Sequence, residues 1–144
     1  EVPRVKEMGV IASMQPLHSP LLENDPEIWV TRIHKKDWDQ AFAWRTLRDA
    51  GATLAFGSDW PVVTLNPMLG LYAALNRKPW EAGHNPHTQT LAEAIEGYTR
   101  DAAFAEFQED KKGQILEEGM DKEIVEGTKD YPLYLRQERL RSLS

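Results

Sequence analysis

The sequence has no cysteine among its 144 residues. Disulfide frameworks and thiolate metal sites are thereby excluded. No apolar run approaches the roughly 20 residues that a membrane span requires. The first residues, Glu1-Val2-Pro3-Arg4, lack the apolar core of a signal peptide. Long basic blocks are missing too, and the formal net charge is −6. A phosphate-backbone partner usually leaves a basic footprint, so no nucleic acid and no membrane are expected as partners. The expected compartment is the cytoplasm. Neither a G-x-S-x-G elbow, a phosphate-binding loop nor a dinucleotide fingerprint occurs, which removes support for serine-nucleophile, nucleotide and hydride chemistry.

What is present suits one ordinary domain: 41% of the residues are hydrophobic, enough for a core, and there are five tryptophans. The most informative stretch is Gly51–Pro61, G-A-T-L-A-F-G-S-D-W-P. Its uninterrupted apolar run Thr53–Phe56 predicts a strand covered on both faces, as in a parallel sheet. Gly57 stops the run, and a carboxylate, Asp59, follows two residues later. Pro61 disfavours the helical region at Trp60, so extended backbone is expected past the acid. Enzymes with parallel sheets place their chemistry beyond the C-terminal ends of the strands, which makes Asp59 the first candidate for function. The alternative is an acidic residue capping a turn.

An earlier unit has the same grammar. Pro3–Met8 reads as a helix stopped by Gly9, Val10–Met14 as a buried strand, and Gln15–His18 as a rigid polar turn. In the second unit a helix from Asp37 or Asp39 places Phe42, Ala43, Thr46, Leu47 and Ala50 on one face, and Gly51 ends it. Two helix–Gly–strand units in succession imply right-handed crossovers in one parallel sheet. Both polar turns, Gln15–His18 and Ser58–Trp60, would then reach the same edge.

Downstream, Asn66 reads as an N-cap with Pro67 at the first helical position, and Met68, Leu71, Tyr72 and Leu75 form that helix's stripe. Arg77 suits the dipole of its last turn. Lys78–Gln89 is a long loop. Thr90-Leu91-Ala92-Glu93 is a capping box, followed by a stripe of Leu91, Ala94, Ile95 and Tyr98. Thr99 is a second cap candidate, ahead of Ala102, Ala103, Phe104 and Phe107. Gly113–Leu116 reads as a short strand, and Pro132 as the start of a last helix.

Among polar candidates, His18 either contacts substrate or metal, or is a hydrogen-bonded structural residue. His84 and His87, spaced i, i+3 in a proline-rich loop, read as solvated loop residues, and Arg45 and Arg48 as a solvated helix face. Trp60 either walls a pocket or lies in a core or interface.

These residues carry a resemblance. G-V-I-A-S-M-Q-P-L-H at 9–18, L-R-D-A-G at 47–51 and F-G-S-D-W-P-V at 56–62 resemble the C-terminal part of the metal-dependent amidohydrolases. Asn66-Pro67-Met68, A-A-L-N-R at 73–77, L-A-E-A at 91–94, Tyr98-Thr99, Ala102-Ala103, Gly113-Gln114-Ile115 and Glu118-Gly119-Met120 continue it. The most similar branch is amidohydrolase family 3, with N-substituted formamide deformylases and relatives of D-aminoacylase. The resemblance implies an α/β fold, the C-terminal portion of a (β/α)₈ TIM-type barrel, with Val10–Met14 as strand seven and Thr53–Phe56 as strand eight. Residues 1–112 would be its last strands and helices. Residues 113–144 would begin the small β-domain or form an unrelated charged tail, since Asp121-Lys122-Glu123 replaces the family's Ala-Asp and apolar strand.

In that family the strand-eight aspartate binds the catalytic metal, takes a proton from the metal-bound water and passes it to the leaving amine. Asp59 is the position that inherits both roles, catalytic and metal-binding. Gln15 and His18 match a turn at the pocket mouth and, with Trp60, are the substrate-binding candidates. The implied cofactor is a divalent metal, zinc first, and the implied partner a small amide-type substrate. The family's early His-x-His pair, its bridging ligand and its histidines after strands five and six would precede Glu1. Two functions are therefore weighed: a segment of a hydrolase of non-peptide C–N bonds, inactive until completed, and a catalytically silent, self-associating fragment. Both imply a homo-oligomer or completion by the N-terminal part, because unpaired sheet edges recruit partners.

Overall fold

The computed structural model describes residue 2 and residues 4–19 and 30–114. The readings for Gly113–Leu116 (in its second half), for the Pro132 helix and for the tail lie outside the described residues. Two parallel strands, β1 (Ile11–Met14) and β2 (Thr53–Phe56), pair in the register Ile11 to Thr53 through Met14 to Phe56. A short α1 (Arg4–Glu7) precedes β1, and Gly9 takes a φ of +62°, which a side chain adopts only with strain. α2 (Trp44–Asp49) leads through Gly51 into β2. The chain then runs through α3 (Pro67–Asn76), α4 (Leu91–Tyr98) and α5 (Arg100–Ala105).

β2 meets its expectation. Leu54, Ala55 and Phe56 are buried in succession, because α2, α4 and α5 all pack against this strand. β1 does not. It begins at Ile11, its Ser13 is exposed, and Val10 is 45% exposed. No comparable helical cover lies over β1 among the described residues, so its apolar sequence is only half used.

Trp44, Leu54, Phe56, Ala74 and Ala94 form the core cluster. A ladder of rings, Phe42–Trp44–Phe56–Tyr98, crosses it edge to face with centroids 6.3, 6.4 and 5.5 Å apart. At Gly97 an added Cβ would lie 2.6 Å from the Phe56 ring, which is why α4 approaches β2 so closely.

The helix expected from Asp37 or Asp39 to Ala50 is broken. Lys35–Gln40 winds as a 3₁₀ helix, Phe42 sits at a φ of +54°, and the α-helix begins only at Trp44. The cause is non-local. Asp39 Oδ1 accepts from Asn85 N at 2.8 Å and lies 3.1 Å from His84 Nδ1, while His87 Nε2 reaches the Asp39 carbonyl at 3.0 Å. The segment is tied to the 84–87 loop and cannot wind on into α2.

The helix starts at Asn66 and Thr90 form as read. Asn66 Oδ1 accepts from Met68 N at 3.0 Å, and both bonds of the Thr90–Glu93 capping box are made. The inward faces follow the stripes in part: Leu71 and Leu75 of α3 and Ala94 and Tyr98 of α4 belong to the core or pack against it. α3 buries Gly70, Ala73 and Ala74 and leaves Met68 and Tyr72 64% and 58% exposed. α4 buries Ala94 and Gly97, with Leu91 and Ile95 exposed. In both helices small residues give the closest approach to neighbours, and Met68, Tyr72, Leu91 and Ile95 are turned outward. Thr99 precedes α5 without capping it: its hydroxyl donates back to the Ile95 carbonyl at 2.7 Å. Phe107 lies beyond the end of α5 and is 86% exposed.

Arg45 and Arg48 are cross-links, not a solvated face. Arg45 Nη1 donates to both Glu93 oxygens at 3.0 and 2.8 Å, and its other nitrogens reach Asp49. Arg48 donates to the Glu93 carbonyl at 3.1 Å and lies 3.7 Å from Asp101. The Arg45 hydrogen bonds hold the Glu93 carboxyl down at about 2, against 4.5 for an ordinary glutamate. A depressed carboxylate contributes stability that is present above the unfolded value and fades as pH falls through the folded one. Stability is therefore expected to decline from about pH 4.5 toward pH 2, where Glu93 takes up its proton. Glu93→Gln preserves the capping box, flattens that decline and costs on the order of 1 kcal/mol at neutral pH. Urea denaturation across this pH range checks it; an unchanged slope rules out the pair as its source.

Candidate functional site

β1 and β2 end side by side, and Gly57 N donates to the Met14 carbonyl at 3.2 Å, carrying the ladder one step further. The two polar turns therefore leave the same edge. After β1, Gln15 opens a one-turn 3₁₀ helix, Pro16–His18, whose end is closed by the Ser19 hydroxyl donating to the Pro16 carbonyl at 2.7 Å. α3 packs against this turn. After β2, Asp59 takes a φ of +58°, a left-handed conformation that aspartate tolerates better than most residues. The backbone thus turns at the acid and does not remain extended as expected. Val62 N donates to the Asp59 carbonyl at 2.8 Å, and the Trp60–Pro61 peptide is cis.

These turns bring His18 and Asp59 together, with Nε2 3.9 Å from Oδ2. That distance is an ionic approach and too long for a hydrogen bond. The His18 side chain is 24% exposed and its Nε2 atom is buried without a hydrogen-bond partner among the described residues. The Asp59 side chain is 56% exposed. An imidazole nitrogen and a carboxylate facing one another at a strand-end rim can share a cation or relay a proton. Gln15 stands at the start of the same turn, half-buried, and makes no side-chain cap bond. Trp60 is 62% exposed and does not line the small cavity that adjoins the rim.

A small cavity of about 120 Å³ adjoins the rim, bounded by Leu17, Gly57, Ser58, Thr64, Gly70 and Tyr98 among others. None of these was a candidate from the sequence. One signal was available: Gly70 sits in mid-helix, where glycine is unfavourable, and a Cβ there would overlap the Tyr98 hydroxyl.

The other histidines serve the fold. His87, read as solvated, is 1% exposed: Nε2 donates to the Asp39 carbonyl, and Nδ1 lies 3.4 Å from the Thr46 hydroxyl. Burial first, and the Arg77 charge second, lower its pKa and keep it neutral. Arg77, at the C-terminal end of α3, is itself buried. It donates to the carbonyls of Pro86 and Ala41 and lies 5.5 Å from the ring centres of both Phe42 and Trp44. Burial pushes its pKa down to about 10. Among the described residues no helix is long and apolar enough to cross a membrane.

Comparison with known proteins gives a consistent picture. The model of the amidohydrolase family, Amidohydro_3, matches residues 1–121. The putative amidohydrolase YtcJ of Bacillus subtilis (strain 168) is 30% identical over 121 residues, which cover 81% of this chain and 22% of that protein. Protein LONG AFTER FAR-RED 3 of Arabidopsis thaliana is 28% identical over 115 residues, covering 78% and 19%. Among solved structures, an uncharacterized metal-dependent hydrolase from Pyrococcus furiosus superposes with a TM-score of 0.64 at 29% identity, over 78% of this chain and 22% of its own. The chain thus spans about a fifth of the length of the relatives it matches.

Proposed function

This chain belongs to the amidohydrolase family, and from that premise we propose that it supplies the last strands of a (β/α)₈ barrel hydrolase of non-peptide C–N bonds. Asp59 is its working carboxylate, and His18, Gln15 and Trp60 are its substrate-side residues. The observation that carries the reading is the meeting of His18 and Asp59, from two separate turns, at the ends of adjacent parallel strands. Residues 1–112 belong to the barrel, and residues 113–144 to a small β-domain or a charged tail. The substrate is a small amide-type molecule met in the cytoplasm, of the kind cleaved by N-substituted formamide deformylases and relatives of D-aminoacylase.

The cofactor this reading implies is a divalent metal, zinc first. The described residues do not hold it by themselves. They contain no group of three or more His, Cys, Asp or Glu side chains that could share an ion. His18 and Asp59 offer two donors where catalytic zinc takes about three protein ligands. What Asp59 supplies is proton transfer. It accepts a proton from the attacking water as the new C–O bond forms, then gives it to the nitrogen as the C–N bond breaks, leaving an acid and an amine.

The remaining ligands imply completion, by the N-terminal part of the barrel or by further copies of this chain. Two strands are few for a stable sheet, and Met68, Tyr72, Leu91 and Phe107 leave much apolar surface uncovered. That same surface favours the second reading, a silent self-associating fragment. Metal analysis with light scattering on purified material separates them. Near-stoichiometric zinc in an assembled species supports the hydrolase, and an assembled species without metal supports the silent fragment. A stable, compact monomer contradicts completion altogether.

A further inference from the structure

The cavity beside the Ser58–Trp60 turn has an uneven hydrogen-bonding wall. Ser58 Oγ accepts from Trp60 N at 3.3 Å, Thr64 Oγ1 from Asn66 N at 3.2 Å, and Asn66 Oδ1 from Met68 N at 3.0 Å. All three residues line the cavity, Thr64 and Asn66 from its exposed rim, and their own hydrogens have no protein acceptor among the described residues. The Tyr98 hydroxyl, held against Gly70, makes no hydrogen bond there either. Burial moves its pKa up to about 12, so it remains a donor at any physiological pH. The wall thus has four donor groups with hydrogens to give, while the oxygens of three of them already accept.

Charge decides what such a wall takes. No Lys, Arg or His lines the cavity, and the carboxylate of Asp59 follows Ser58 directly in the chain. An anion seated there gives up part of its hydration and meets no cationic side chain in the wall. A neutral oxygen loses far less and needs only donors.

We infer that this cavity is a subsite for a neutral acceptor oxygen of the ligand, an amide or carbonyl oxygen and not a carboxylate, with Tyr98 and Ser58 as its donors. That the ligand is a hydrolytic substrate rests on the reading of the preceding subsection; the binding chemistry does not. Such a subsite selects molecules carrying a second, uncharged carbonyl beside the bond to be cut, and its size limits the occupant to a small group.

The test is an NMR titration of the ¹⁵N-labelled 144-residue chain with N-acetylglycinamide, and with N-acetylglycine as its charged counterpart. The neutral amide is expected to shift the backbone signals of Ser58, Gly70 and Tyr98, and the acid to do so at least several-fold more weakly. Tyr98→Phe, which keeps the ring against Phe56, and Ser58→Ala are each expected to weaken the amide about fivefold. Absence of those shifts, equal or tighter binding of the acid, or unchanged affinity in whichever variant retains the native spectrum overturns the inference. A chain that binds the amide yet never hydrolyses one in any assembly keeps this subsite and loses the hydrolase reading.

Discussion

Asp59→Asn is expected to reduce amide hydrolysis by about 10²- to 10⁴-fold, the range ordinarily contributed by a positioned proton-transfer group. The substitution suits the question because so little else depends on the side chain. It is 56% exposed, and its approach to His18 at 3.9 Å is no hydrogen bond. The backbone role of the residue survives as well. Position 59 has a φ of +58°, and asparagine accepts that conformation as readily as aspartate does. The carbonyl that receives Val62 N is untouched. Far-UV circular dichroism and the urea midpoint should therefore stay within about 0.5 kcal/mol of the parent, as for most exposed substitutions. The measurement is amine release from an N-substituted formamide by the assembled, metal-loaded chain, for parent and variant side by side. Unchanged turnover ends the assignment of Asp59. His18→Gln gives a contrasting result: a residue that only contacts substrate raises KM and leaves most of kcat in place.

Much of this site could be read in advance because its signals are local. Gly51 and Gly57 bracket a four-residue apolar run, and that run is β2 to the residue. Asn66-Pro67 and Thr90–Glu93 are complete capping statements within a few positions, and both form. Repetition of helix, glycine and strand was enough to bring two polar turns to one edge, where His18 and Asp59 meet. Periodicity, by contrast, reports that a helix has an apolar face without saying which face is pressed inward. In α3 that choice falls to Gly70, Ala73 and Ala74, because the Tyr98 hydroxyl needs the space over Gly70. The burial of Arg77 and His87 was equally hidden. Their partners, the carbonyls of Ala41 and Asp39, lie 36 and 48 residues away, and no spacing rule spans such a gap. The cavity shares this character: its wall is gathered from the turns after both strands, from α3 and from α4.

Trp44→Ala should cost about 3–5 kcal/mol, the range for removing a large buried ring. Of the nine buried hydrophobic residues among those described, six are alanines, so few large side chains fill the interior. Trp44 is the largest of them and fully buried. Its ring stands between Phe42 and Phe56, and the Arg77 guanidinium lies 5.5 Å from its centre. Removing it leaves a void at the middle of the ladder and strips apolar and π contact from a cation that burial already disfavours. A loss of that size is a large share of the whole stability of a small domain, roughly 5–15 kcal/mol. The variant is therefore expected to unfold at low urea or to lose its cooperative transition, followed by far-UV circular dichroism. Trp44→Phe discriminates between packing and polarity. It retains a ring for Phe56 and Arg77 while deleting an indole N–H that has no hydrogen-bond partner among the described residues, so part of the lost volume is offset by removing a buried donor left unpaired. Its cost should be well below that of alanine. Equal costs for the two variants would mean that the indole's full volume holds this core together, and a cost under about 1 kcal/mol for alanine would place the ring outside any tightly packed interior.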